Sequence, residues 1–285
     1  IASITGQNPG QTPIVATIAV QAQYSNAGQL CLGNTETFTI TVNPQPQVVA
    51  PQNQVVCNGA QVAAVNFTGP STGTTYVWTN NNPSIGLAAS GTGNIGVFTA
   101  TNPGNTPMTA TITVTAQYVN GTQICAGNSE TFTITVNPLI TMQPVAPVVV
   151  CATSQVPTIQ FSGNAQPSVF NWTNSNPSIG IPASGTGPIP AFVAINAGAA
   201  AQVANITVTP AFVNGVNTCA ITPVSFTITV NPTPTVVDPT DIVVCNNATV
   251  PTINFTGSNA NSVYAWSNNN TSINLPASGT SSISS

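Results

Sequence analysis

The chain has 285 residues, 41% of them hydrophobic, and its only charged side chains are Glu36, Glu130, Asp238 and Asp241, with no Lys, Arg or His. No side-chain ion pair can form, and recognition that sets Lys and Arg against phosphates is excluded, so nucleic acid is not a partner and no basic patch faces a membrane. Disorder couples low hydrophobicity to high net charge; a chain this apolar, alternating this regularly, reads as folded.

From the N-terminus, the first landmark is TFTITVNP at 37–44, which returns at 131–138 and, as SFTITVNP, at 225–232, a step of 94 residues. Cys31, Cys125 and Cys219 keep that step, as do Cys57, Cys151 and Cys245, and Trp78, Trp172 and Trp266, with no insertion or deletion. A fixed period of this length describes a whole small β-domain repeated head to tail, not one turn of a solenoid. Residues 1–43 match the second half of a repeat, 44–137 and 138–231 are whole repeats, and 232–285 match the first half of another. The expectation is a window on a longer protein.

Within the repeat 44–137, strands are predicted at Val62–Thr68, Thr74–Thr79, Ile95–Thr101, Thr109–Val119 and Thr131–Val136, with shorter ones near Gln54–Cys57 and Ser84–Ala88. Ile112, Val114, Ala116 and Tyr118 share one face against Thr111, Thr113, Thr115 and Gln117, and Phe132, Ile134 and Val136 oppose Thr131, Thr133 and Thr135. One dry and one wet face per strand suit a two-sheet sandwich. Asn120-Gly121, repeated as Asn214-Gly215, is a hairpin signal, and Asn58-Gly59, Gly69-Pro70, Asn81-Asn82-Pro83 and Ser90-Gly91-Thr92-Gly93 read as breaks. About seven strands per period predict an all-β chain of tandem immunoglobulin-like sandwiches. Junctions fall at Asn43-Pro44, Asn137-Pro138 and Asn231-Pro232, where Pro ends strand pairing and stiffens a very short linker.

The combination of VVCN, VNFTG or INFTG, YVWTNNNPSIGLAASGTG, TATITVTAQY and ETFTITVNP resembles the PKD-like, immunoglobulin-like repeats of giant cell-surface proteins of gliding Bacteroidota. Such repeats occur in gliding-motility adhesins and other cargo of the type IX secretion system. The resemblance spans all 285 residues and implies an extracellular rod, attached at the outer membrane, between a cell and a surface.

Six cysteines without His or a close Cys pair favour disulfides over zinc, and disulfides favour a compartment outside the cytosol. The expected pairs are Cys57–Cys125 and Cys151–Cys219, with the partners of Cys31 and Cys245 outside the sequence. In that reading Cys125, just past the Asn120-Gly121 turn, lies at the end where the domain begins, and Cys57 opens the domain at the same end. The competing scheme joins neighbours 26 apart, Cys31 with Cys57, Cys125 with Cys151 and Cys219 with Cys245.

No catalytic group is expected, because acid-base and nucleophilic chemistry lean on His, Lys or paired carboxylates. Glu36 and Glu130 are in phase, but the next copy has Val224. Asp238 and Asp241 could stiffen a linker with calcium, yet the junctions around Gln47 and Thr141 carry no acid, so neither metal nor cofactor is assigned. Trp78, Trp172 and Trp266, with Tyr76, Phe170 and Tyr264 two positions before them, could offer sugar-stacking platforms; the alternative is a core Trp on the third strand. Core membership is expected for the three tryptophans and for Phe38, Phe132 and Phe226. The threonine rows suggest binding of ice or crystalline polysaccharide, although such sheets twist and Thr is the ordinary polar β-former. The Asn-x-Ser/Thr sequons are not in phase. Two functions remain: a structural stalk holding a distal adhesive part away from the cell, or repeats that themselves bind glycan or ice. Expected partners are neighbouring repeats, other copies lying side by side, and a distal surface or glycan ligand.

Overall fold

The structure is a computed structural model and describes residues 3–284, so residues 1, 2 and 285 of the outermost expected segments lie outside the described residues. In the first period β1 (Ile14–Asn26) and β2 (Gln29–Val42) form one antiparallel hairpin. The second carries β3 (Gln54–Cys57), β4 (Gln61–Val62), β5 (Thr74–Asn80), β6 (Ser90–Thr92), β7 (Phe98–Thr99), β8 (Met108–Asn120) and β9 (Gln123–Asn137). The third carries β10 (Val148–Cys151), β11 (Gln155–Val156), β12 (Ser168–Asn174), β13 (Ser184–Thr186), β14 (Phe192–Val193), β15 (Gln202–Asn214), β16 (Asn217–Ala220) and β17 (Val224–Asn231). Beyond it lie β18 (Ala265–Ser267) and β19 (Ser278–Thr280).

The chain divides into two compact units. The first runs to Ile140 and includes Ala165–Pro167 and Phe212–Cys219; the second holds Thr141–Asn164, Ser168–Ala211 and the chain from Ala220. In the first unit five strands run in the order β3-β9-β8-β5-β6, and β4 pairs with β7 in a second sheet. The opening strand β3 is parallel to the closing strand β9, from Gln54 opposite Ile134 to Cys57 opposite Asn137, and the other ladders are antiparallel. Alternation along β8 and β9 turns Ile112, Val114, Phe132, Ile134 and Val136 inward, where they pack with Val62, Phe67, Trp78 and Ile85 in one core. The outward positions hold threonines, two of which, Thr109 and Thr135, hydrogen-bond across the ladder at 3.0 Å. The second unit repeats this with the order β10-β17-β15-β12-β13, a β11–β14 pair and its own core. The fold is an immunoglobulin-like sandwich in tandem.

Three local expectations are corrected. Ser84–Ala88 is not a strand: Pro83–Ile85 forms a 3₁₀ turn with Pro at its start, closed by Gly86 at φ 95°. Ser90–Thr92, read as a break, is strand β6, because Gly91 sits opposite Trp78 in the ladder and lets the indole lie over its backbone. A Cβ on Gly91 would come within 2.3 Å of the ring, and Gly185 and Gly279 repeat the arrangement beneath Trp172 and Trp266. The closing strand is also longer than Thr131–Val136, starting at Gln123. In the third period Ile221-Thr222-Pro223 replaces Gly127-Asn128-Ser129, and the same strand is split into β16 and β17.

The linkers are docked by a bond that repeats with the period. Val49 N–H donates to Thr68 C=O, Gln143 to Ser162 and Val237 to Thr256, all at 2.8–2.9 Å. Side-chain amides fix the long loops in the same phase. Asn102 Nδ2 donates to the Thr106 and Val136 carbonyls while its Oδ1 accepts from Gly104 N–H, and Asn8 and Asn196 make the corresponding three bonds. In a chain almost without charge, buried amides satisfy the backbone where a loop turns inward.

Candidate functional site

The chemically distinctive site lies in the first unit, where the tip of the β15–β16 hairpin, Phe212–Cys219, meets the end of β3 and β9. Cys57 and Cys219 form a disulfide there, with Cα atoms 5.6 Å apart and 162 residues between them in sequence. It thus joins one 94-residue period to the next. Beside it, Asn214 Nδ2 donates to Asn137 Oδ1 at 2.8 Å, and Asn58 N–H donates to the Asn137 carbonyl at 2.9 Å. Asn137, Phe212 and Cys219 are buried. One period earlier the same contact recurs: Asn120 Nδ2 donates to Asn43 Oδ1 at 2.8 Å. A covalent bond and a half-buried amide pair therefore clasp the hairpin tip.

This corrects the expected pairs Cys57–Cys125 and Cys151–Cys219. The parallel ladder puts Cys57 against Asn137, at the end of β9, whereas Cys125 pairs with Tyr118 near its beginning. Twelve residues of strand separate Cys125 from Asn137, about 40 Å at the usual rise. An antiparallel β3 would bring Cys57 to the start of β9, beside Cys125; the parallel pairing carries it to the other end. Cys125, Cys151, Cys31 and Cys245 are free, the last three exposed. The neighbour scheme fails too, since Cys57 and Cys219 are bonded to each other.

Asparagines also recur in phase, beside the cysteines, tryptophans and core residues. Asn43, Asn137 and Asn231 end the TITVN strands, Asn26, Asn120 and Asn214 end the preceding ones, and two of these pairs are bonded. Asn80, Asn174 and Asn268 likewise each donate to the carbonyl seven residues on, and each accepts from the N–H two residues on. The signal was visible at the 94-residue step but was lost among the many asparagines.

Trp78 and Trp172 are buried in the two cores, and Trp266 is half-buried. The indole N–H of each is enclosed without a partner among the described residues. Tyr76 and Phe170 lie against Phe67 and Phe161, at 5.6 and 5.9 Å between centroids, so neither aromatic pair forms an open sugar platform. Burial pushes the Tyr76 phenol above its ordinary value of 10.0. Phe132 and Phe226 are buried, but Phe38 is 52% exposed, a correction: among the described residues β1 and β2 pair only with each other. Asp238 and Asp241 are exposed, and no group of three or more Cys, Asp or Glu able to hold a metal ion occurs among the described residues. No helix among them is long and apolar enough to cross a membrane.

No family model matches the chain, and no curated protein matches it. Among solved structures, tandem Ig repeats of Dlar align at 14% identity and TM-score 0.23, covering 66% of this chain and 99% of that one. The insect immune protein hemolin aligns at 12% and 0.32, covering 75% of this chain and 56% of its own. Mouse cadherin-23 EC22-24 aligns at 11% and 0.34, over 76% and 74%. The fold assignment rests on the strand order itself.

Proposed function

We propose that this chain is part of the structural stalk of a large secreted cell-surface adhesin or filament, holding a distal adhesive part away from the cell. The observation that carries the reading is the Cys57–Cys219 bridge, which ties successive periods covalently. The linker bonds from Val49, Gln143 and Val237 support it, because each removes freedom at a junction. A disulfide of this kind favours an oxidising setting outside the cytosol. The chain offers no His, Lys or paired carboxylate for catalysis, and its in-phase residues serve packing and loop closure. Its motif string supports assignment to the PKD-like repeats of Bacteroidota surface proteins exported by the type IX system, with surface attachment and gliding motility as the setting. Neighbouring repeats are its standing partners, the distal ligand lies elsewhere, and uncharged edge strands favour copies lying side by side.

Imaging of a multi-repeat protein tests this reading. Domains should form a linear string, each advancing on the order of 40 Å, a figure set by strand length and rise. A compact globule, or titratable binding of glycan or ice by the isolated repeats, overturns it.

A further inference from the structure

The segment that leads into the sandwich 44–137 runs parallel to the strand that leads out of it, and it is tied to that strand along its length. At its start Val48 N–H donates to Asn128 Oδ1 at 2.7 Å, and Asn128 Nδ2 returns a bond to the Val48 carbonyl at 3.1 Å. Midway, Thr133 N–H donates to Asn53 Oδ1 at 2.8 Å. The ladder from Gln54 opposite Ile134 to Cys57 opposite Asn137 follows, and Asn58 N–H donates to the Asn137 carbonyl at its end. Glu130 Oε1 accepts a further bond from Asn128 Nδ2 at 3.0 Å, so the carboxylate holds that amide in place for Val48. Direction decides what such a strap does. Tension on the chain draws Val48 toward the N-terminus and Asn137 toward the C-terminus, in opposite senses along two parallel strands, so the bonds between them are loaded together. At a hairpin, whose two chain ends leave side by side, the same tension opens one bond at a time.

We propose that residues 48–58, strapped to β9, form a shear clamp that keeps the sandwich 44–137 closed when the chain is pulled, and that the sandwich 138–231 yields first. In that later period Pro147 stands for Asn53, Thr222 for Asn128 and Val224 for Glu130. None of the three carries the amide or carboxylate of its counterpart. Among the described residues the entry segment there meets the closing strand through the ladder from Val148 opposite Ile228 to Cys151 opposite Asn231 and the bond from Ala152 N–H to the Asn231 carbonyl. Its other linker bonds, Thr141 with Asn164 and Gln143 with Ser162, reach the loop 162–164 instead of the closing strand. Asn34 with Glu36 and Asn128 with Glu130 recur together and lapse together at Thr222 and Val224, as a clamp built from both residues requires.

The clamp and the disulfide act in turn. Cys57 ends the entry strand, so while its bridge to Cys219 is closed the load leaves that strand through the sulfurs. Once the bridge is reduced, the load falls on the bonds between the entry segment and β9. Forced opening is then set by the unfolding rate, which is slowed by each bond that has to break together with the rest. The role of the clamp in the cell rests on the stalk reading, which imaging of the repeats tests separately; the clamp itself is read from force on a single chain.

The test stretches single 285-residue chains, held by tags at both termini, in optical tweezers under reducing buffer. Opening one complete sandwich releases about 300 Å of chain, at roughly 3.3–3.6 Å per residue, and the shorter terminal segments release less. Two steps of that length should appear. At one fixed force the second should wait on the order of a hundredfold longer than the first, from three added bonds at a factor of about five each. Asn128→Ala removes two of those bonds and should shorten the longer wait roughly twenty- to thirtyfold while leaving the shorter one unchanged. Asn53→Ala removes one, should shorten the longer wait about fivefold, and carries the test if Asn128→Ala fails to fold. Asn34→Ala, whose side chain bonds Glu36 outside both sandwiches, should change neither wait. Equal waits in the wild type, a change confined to the shorter wait in Asn128→Ala, or a longer wait unmoved by both the Asn53 and Asn128 variants overturns the proposal.

Discussion

Removing the clasp by Cys219→Ser should lower stability far more than removing any other cysteine. The bridge closes a loop whose ends are 162 residues apart in sequence. In the chain-entropy model that closure raises the free energy of the unfolded chain by about 5 kcal/mol. Domains of this size hold roughly 5–15 kcal/mol in total, so the loss is a large share. In guanidinium chloride it corresponds to a drop in midpoint on the order of 1 M, followed through the fluorescence of the core tryptophans. Cys57→Ser should match it, and reduction of the wild type should add the same loss that the variants no longer show. Cys125→Ser separates this pairing from the one expected from the sequence: it should leave the midpoint of the monomeric chain within about 0.5 kcal/mol of wild type, since Cys125 is free. Equal losses for Cys125→Ser and Cys57→Ser, or a midpoint unmoved by reductant, would refute the clasp.

Asn214→Ala strips Oδ1 of the buried Asn137 side chain of its donor and should cost about 1–3 kcal/mol, read as a shift in thermal midpoint, whereas removal of the exposed Asn34 side chain should cost little. Gly91→Ala drives a methyl into the Trp78 indole and should cost about 1–3 kcal/mol with a shifted emission maximum; an unchanged spectrum and midpoint would contradict the stacked geometry. Stability at constant salt should be nearly flat from about pH 5 to 8, because the chain has no His. Above about pH 10 it should fall: the unfolded phenol ionises first, Tyr76 holds its proton longer in the fold, and the unfolded state then binds fewer protons. A melting temperature rising through that range would reverse the sign and exclude the burial of Tyr76 as its cause.

The strands that were legible in the sequence are those with one dry face. Ile112, Val114, Phe132 and Ile134 alternate with threonines over enough residues that no other period fits, and they are core residues. Short elements were less legible. Strand β6 hides behind Ser-Gly-Thr because its glycine answers to a tryptophan on the neighbouring strand, and Pro83-Ser84-Ile85 looked extended because three residues carry no period. The clasp was missed for a different reason. Cysteine spacing narrows which pairs can form, but the direction of a short opening strand decides at which end of the domain its cysteine emerges, and the four residues of β3 carry no sign of whether they run with β9 or against it. The asparagine series was readable in principle, since Asn137 and Asn214 each recur at the period. Its meaning required knowing that strand ends 77 residues apart meet.

The clasp also sets how far the molecule can be drawn out. If the two termini are pulled until every strand has melted, the residues between Cys57 and Cys219 carry no load, because tension passes through the sulfurs. The oxidised chain then reaches a contour shorter than the reduced one by about 550 Å, at roughly 3.3–3.6 Å per residue. Such a tether would keep its reach under drag even after its sandwiches had opened, and would recover as they closed again.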